Sequence, residues 1–258
     1  MPGTNSFQFV NSDLPFLQHT YQLRLASIDH LAALTGRSYK RTAERLAKLS
    51  ANAYLKCVAR KPNTKIAYGI GHQGVALLVE HGYAQREIVA QRLRQHELKD
   101  LGIRHSLFIA DIHVKLLLLT QERSLVLSDW VEGSSLWDTV VTSNQTQIPI
   151  RPDARFTIDT GTARSHFYLE ADRGSMAHSR MREKCSGYAA YFQQQRHLKK
   201  HPQMKTFRVA TITETRGRAR SLAEEFRAMM PVAWLAAYPV IAVEDLTIAT
   251  LLPELGKV

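Results

Sequence analysis

The chain has two cysteines in 258 residues, Cys57 and Cys185. They are far apart and lack neighbouring metal-ligand spacing, which argues against a disulfide framework and against a zinc site. Long apolar runs are missing as well. Val114 to Leu119 is broken by Lys115 and is far shorter than the roughly 20 residues a bilayer span needs. Met1 to Asp13 lacks the basic-then-apolar order of a signal peptide. These absences lead us to expect a soluble protein of a reducing cytoplasm with no membrane contact. Also missing are a Gly/Ser- or Pro-rich linker, a Gly-rich phosphate loop and a nucleophile elbow. Gly69-Ile70-Gly71 is too short for a dinucleotide site, so no cofactor is expected from motif alone.

Acids are scarce relative to bases. Lys and Arg number 34 against 23 Asp and Glu, giving a formal charge of +11 and a pI near 9.8, which points to a polyanionic partner. The excess is local. Between Gly36 and Lys65 stand nine bases (Arg37, Lys40, Arg41, Arg45, Lys48, Lys56, Arg60, Lys61, Lys65) and one acid, Glu44. A content of 45% hydrophobic residues in a chain of this length suffices for two modest cores.

Residues 1–13 carry no periodic apolar face and read as a flexible leader. From Leu14 the apolar spacing becomes helical, with Ser27 as a candidate N-cap for a second helix that Gly36 ends. A third helix, Ser38 to Leu49, is predicted to bury Ala43, Leu46 and Leu49. Two strand-like runs follow, Tyr54 to Arg60 and Lys65 to Ile70, joined by the turn-forming Lys61-Pro62-Asn63-Thr64. This is the order of a winged helix-turn-helix domain over 14–82. Its third helix would offer Arg37, Ser38, Tyr39, Lys40, Arg41, Thr42, Arg45 and Lys48 to double-stranded DNA, and its wing Arg60, Lys61 and Lys65 to the flanking backbone. A solvated basic helix on a protein-binding domain is the plainer alternative. Residues 83–100 read as a connecting helix.

The most chemically suggestive stretch lies in residues 101–258, where strands and helices alternate as in an α/β domain with a central mixed sheet. Arg155–Thr160 and Ser165–Asp172 alternate around a short loop and read as a hairpin. Period two places Tyr168, Glu170 and Asp172 on one face, opposite Phe167, Leu169 and Ala171. We nonetheless expect Trp130, Phe156, Phe167, Leu169, Met181, Cys185 and Tyr188 to share one core. Pro152-Asp153, the hairpin, Glu170-x-Asp172 and a following helix resemble the site of metal-dependent nucleases of the restriction-endonuclease type. In those, two acids hold a divalent ion and a lysine helps position the attacking water. Asp153 and Glu170 match the acids; Asp172 stands where the lysine should be, and Lys184 on the next helix is the nearest substitute. The plainer alternative pairs Glu170 and Asp172 with Arg155, Arg173 or Arg180.

The basic winged helix, Arg104-His105-Ser106, Trp130-Val131-Glu132, Arg151-Pro152-Asp153-Ala154, Leu169-Glu170-Ala171-Asp172-Arg173-Gly174, and Lys184 with Tyr188 together resemble the replication-relaxation family of bacterial plasmids and mobile elements, over roughly Leu14 to Thr213. The resemblance implies DNA binding in plasmid replication, DNA relaxation or mobilisation, in a bacterial cytoplasm. Two functional readings result. The preferred one is a noncatalytic DNA-binding protein whose second domain forms a homodimer or recruits replication or mobilisation proteins. The other is a metal-dependent nickase or nuclease using Asp153, Glu170, Asp172 and Lys184, with Mg2+ or Mn2+ on Asp153 and Glu170.

Overall fold

The computed structural model describes residues 7–59, 65–85, 99–174 and 176–254. Arg60, Lys61 and the turn through Thr64, most of the expected connecting helix, and the first six residues lie outside that set. The chain divides into two compact units, Met1–Val114 and Lys115–Val258.

In the first unit α1 (Leu14–Leu23) leads through a short strand β1 (Ala26–Ser27) to α2 (Ile28–Thr35) and α3 (Tyr39–Ala51). Strands β2 (Leu55–Ala59) and β3 (Ala67–Ile70) and helix α4 (His72–Glu80) follow. The strands form an antiparallel sheet in the order β1-β3-β2, with Ala26 opposite Tyr68 and Leu55 opposite Ile70. The punctuation read from sequence holds. The Ser27 hydroxyl accepts from His30 N–H at 3.2 Å, and Gly36, at φ 66°, takes the left-handed turn that closes α2. Gly74 is forced by close approach, since a Cβ there would stand 2.2 Å from the Tyr54 carbonyl oxygen.

Three expectations for this unit need correcting. Residues 7–13 are not a loose leader. Phe9 stacks on Tyr54 with centroids 4.9 Å apart, Phe7 lies 5.7 Å from the same ring, and Asp13 is fully buried. Helix α3 buries Leu46 and Leu49 as expected, but Thr42 in place of Ala43. The second domain does not begin at Leu101. Helix α5 (Asp100–Glu122) starts in the first unit, where Ile103 and Leu107 pack on Leu25 and Ala67. His30 Nδ1 accepts from Ser27 N–H (3.1 Å), which leaves Nε2 to donate to Asp111 at 2.7 Å.

The second unit is built on a mixed five-stranded sheet. Strands β4 (Val126–Val131), β7 (Ala154–Asp159) and β8 (Arg164–Asp172) run antiparallel in turn. After α6 (His178–Gln193) and α7 (Arg196–Lys200), β9 (Arg208–Thr213) lies parallel to β8. Following α8 (Arg216–Met229) and a short α9 (Val232–Leu235), β10 (Val240–Ala242) lies parallel to β9, and α10 (Ile248–Leu251) closes the order. Between β4 and β7 a separate hairpin, β5 (Asp138–Val141) and β6 (Gln147–Ile150), packs on α6, where Gly187 leaves room for Ile148 and Ile150. The hairpin expected at 155–172 is present, with Phe156 opposite Phe167 and Ala154 opposite Leu169.

Its two faces serve different contacts, which overturns the single-core expectation. Tyr168 packs with Met181, Cys185, Tyr188 and Tyr191 of α6 and with Leu222 and Phe226 of α8. Phe167 stacks instead on Phe156 (4.8 Å), and Phe156 on Trp130 (5.5 Å). Alternation along β8 makes this unavoidable, because Phe167 and Tyr168 cannot both face α6.

Candidate functional site

The acidic residues come from the β7/β8 pair and from α6. Asp153 precedes β7 by one residue and is tied to β8 twice: its N–H donates to Leu169 O (2.9 Å), and its Oδ2 accepts from Ala171 N–H (2.7 Å). Glu170 is 2% exposed and points at α6. There the Lys184 ammonium donates to Oε2 and the Tyr188 hydroxyl to Oε1 at 2.6 Å. Lys184 and Tyr188 are one helical turn apart, so both reach the same carboxylate. Burial pushes the Glu170 carboxyl up to about 6; the Lys184 charge opposes the rise and the neighbouring Asp153 adds to it. The same environment drives the Tyr188 hydroxyl well up, through burial first and the Glu170 charge second.

Asp172 does not join this group. Two residues further along the same face, it reaches α8, where Arg218 Nε donates to Oδ2 at 2.6 Å and Gly174 N–H to Oδ1 at 2.9 Å. The structure therefore brings Asp153, Glu170 and Lys184 together and leaves Asp172 to a separate ion pair. Neither acid takes its main partner from Arg155, Arg173 or Arg180. Tyr188, placed in the core and paired with Lys184 in the family pattern, was not assigned to the acidic site; its i+4 spacing from Lys184 was the available signal. Arg218 had none, lying 46 residues from Asp172.

As they stand, these side chains do not fit a divalent ion. Both oxygens of Glu170 already accept from donors, one oxygen of Asp153 accepts from the backbone, and no group of three or more His, Cys, Asp or Glu side chains suited to a metal occurs among the described residues. A hard cation of this class takes six or more oxygen ligands. The arrangement instead holds a buried carboxylate between an ammonium and a phenol, its proton affinity raised by burial.

The basic residues of the first unit separate into two groups. Arg45 is structural: its Nε donates to Asp13 Oδ1 at 2.6 Å, its Nη2 to Asp13 Oδ2 and to Gln8 O (2.8 Å), and its head lies over the Phe7 ring. Arg37 likewise donates to Ser12 O (2.9 Å) and lies over Phe16. Thr42 is fully buried and cannot meet a base. Lys65 faces Asp111 Oδ1 at 3.2 Å with half its side chain still exposed. Ser38, Tyr39, Lys40, Arg41 and Lys48 are exposed, and the side chains of Lys40, Arg41 and Lys48 make no hydrogen bond or ion pair among the described residues. Lys40, Arg41, Glu44, Ala47 and Lys48 form one outward stripe at helical spacing. Arg60 and Lys61 lie outside the described residues.

Among the described residues, no helix is long and apolar enough to cross a membrane. Set against known proteins, residues 17–206 match the family model described as replication-relaxation. No curated protein and no solved structure matches the chain.

Proposed function

The chain belongs to the replication-relaxation family, and from that premise we propose that it acts in plasmid replication or relaxation by binding double-stranded DNA through a winged helix in its first unit. Support comes from the helix-strand-helix-helix-strand-strand order with its β1-β3-β2 sheet, and from the position of α3 directly after the Gly36 turn. The observation that carries the reading is the outward stripe of α3, where Lys40, Arg41 and Lys48 stand exposed beside Ser38 and Tyr39 and make no hydrogen bond or ion pair among the described residues. Exposed cations without an internal ion pair are suited to contact a phosphate backbone. Arg37, Arg45 and Thr42 leave the reading set, because packing already occupies them. The wing contribution rests on Lys65, with Arg60 and Lys61 as further candidates. Replication or mobilisation proteins and a second copy of the chain are the partners proposed for the second unit.

The test is reversal of Arg41 and Lys48 to Glu in the full chain. Duplex binding should be lost with the thermal midpoint unchanged; retained affinity would remove α3 from the interface.

One observation favours a second reading, a metal-dependent nickase or nuclease: the Lys184 ammonium reaches Glu170 beside Asp153, as the substitute for the missing strand lysine would have to. In that reading Mg2+ or Mn2+ must displace the donors now on Glu170. Added metal should then raise thermal stability in the native chain, less so in Asp153→Asn, and supercoiled DNA should be nicked only with metal. Absence of both effects would dismiss it.

A further inference from the structure

Unsatisfied polar atoms gather on the sheet face that also carries Glu170, at its other end. Buried side-chain atoms without a hydrogen-bond partner include Ser128 Oγ on β4, Arg155 Nε on β7 and His201 Nε2 just after α7. Buried polar groups are almost always paired, so a cluster of orphans calls for a missing partner. Register brings two of them to neighbouring positions: on β4 the partner of Arg155 is Val131, past a bulge that follows Ser128. Ser128 lies opposite Thr157, and Thr157 opposite His166 on β8, while Arg155, two residues back on the same face, lies opposite Tyr168. The Thr157 hydroxyl donates to Asp129 Oδ2 at 3.1 Å and lies 2.9 Å from His166 Nδ1. His201 is fixed by its backbone, which donates to His197 O (2.8 Å) and accepts from Met204 N–H (2.9 Å).

The acids nearby are already answered. Asp129 accepts from Arg164 at 2.9 Å, and Asp159 lies 3.6 Å from the same guanidinium. Asp138 is held by Arg196 and Lys200. Arg155 is left, partly buried, with no ion pair among the described residues. Its neighbours feel this charge: burial first, then Arg155 and Lys200, hold His201 below the ordinary histidine value against a weaker pull from Asp129, and burial first, then Arg164, lower His166, with Asp129 opposing and Arg155 adding less.

We infer that Arg155, His201 and Ser128, with His166 at the margin, form a binding site for a phosphate oxyanion. The guanidinium supplies charge and two-pronged geometry, and the imidazole and hydroxyl supply the further donors such a group takes. The occupant is either a phosphodiester of a nucleic-acid backbone or a free phosphate, since both present the same oxygens. The site is independent of α3 and of Glu170.

The experiment is thermal unfolding of the full chain with inorganic phosphate, against sodium chloride at matched ionic strength. Phosphate should raise the native midpoint with a saturable dependence, and Arg155→Gln should shift half-saturation at least tenfold higher. Arg155→Lys, which keeps the charge but not the fork, should fall between. In phosphate-free buffer Arg155→Gln should be no less stable than the native chain, an outcome that a purely structural arginine would not give. His201→Gln, at a second position, should weaken phosphate without unfolding the protein. Repeating the titration in the Arg41→Glu, Lys48→Glu chain separates this site from the DNA reading: the phosphate response should persist there. In that chain, displacement of phosphate by a short duplex would identify the occupant as backbone, and no displacement as free phosphate. An equal response in native and Arg155→Gln chains, or none in the native chain, overturns the inference.

Discussion

Replacing Lys184 by methionine isolates what its ammonium does for Glu170. Burial pushes the Glu170 carboxyl up from 4.5 to about 6 while Lys184 pulls the other way. An acid with a raised folded value binds more protons folded than unfolded between the two values, so stability falls as pH rises from 4.5 through about 6. At about 1.36 kcal/mol per unit, a rise of roughly 1.5 units means that ionised Glu170 costs the native chain about 2 kcal/mol at pH 7. Methionine keeps most of the apolar stem, so packing changes little. Without the ammonium, Glu170 stays protonated in the fold at pH 7. The cost is then capped by the work of protonating it, about 3 kcal/mol for the roughly 2.5 units between 4.5 and 7. The variant should therefore be less stable by about 1 kcal/mol at pH 7 and nearly equal to the native chain at pH 5, where both hold the proton. All three tryptophans, Trp130, Trp137 and Trp234, lie in the second unit, so urea unfolding followed by tryptophan fluorescence reports on that unit. A stability loss of the same size at pH 5 and pH 7 would refute the reasoning.

Arg45→Met should cost about 3–5 kcal/mol, because it strands the buried Asp13, whereas Arg41→Met should stay within about 0.5 kcal/mol; similar urea midpoints by circular dichroism would cancel the distinction between the two arginines. Leu169, fully buried, should cost about 2–5 kcal/mol when cut to alanine, and a loss under about 0.5 kcal/mol would mean β8 is wrongly placed. Gly74→Ala drives a methyl group into the Tyr54 carbonyl and should cost at least the ~1–3 kcal/mol of an overpacked site; an unchanged melting temperature would contradict that close approach.

Local signals were legible in the sequence and long-range pairings were not. Alternation from Ser165 to Asp172 gave both the strand and its faces, and Ser27 and Gly36 gave the ends of α2. Thr42 and Ala43 are both small, so spacing alone could not decide which of them turns inward, and Thr42, expected to face DNA, turned inward. The β5/β6 hairpin went unread because its strands are four residues each, too short for period two to stand out. At the acidic site, Asp153, Glu170 and Lys184 were named from motif order. The Asp172–Arg218 pair joins β8 to a helix beyond the next strand, and nothing in the local sequence announces such a contact. Arg45 looked like a reader of DNA for the same reason: its partner Asp13 lies 32 residues away.

The central claim is that the outward stripe of α3 meets the phosphates of duplex DNA. Its most direct test is the salt dependence of binding for the native chain and for the Lys40→Gln, Arg41→Gln, Lys48→Gln triple variant. Each phosphate contact contributes about 0.9 to the slope of log K against log salt, so the variant's slope should be shallower by about 2.7, with affinity falling on all sequences alike. An identical slope in the two proteins would contradict the account.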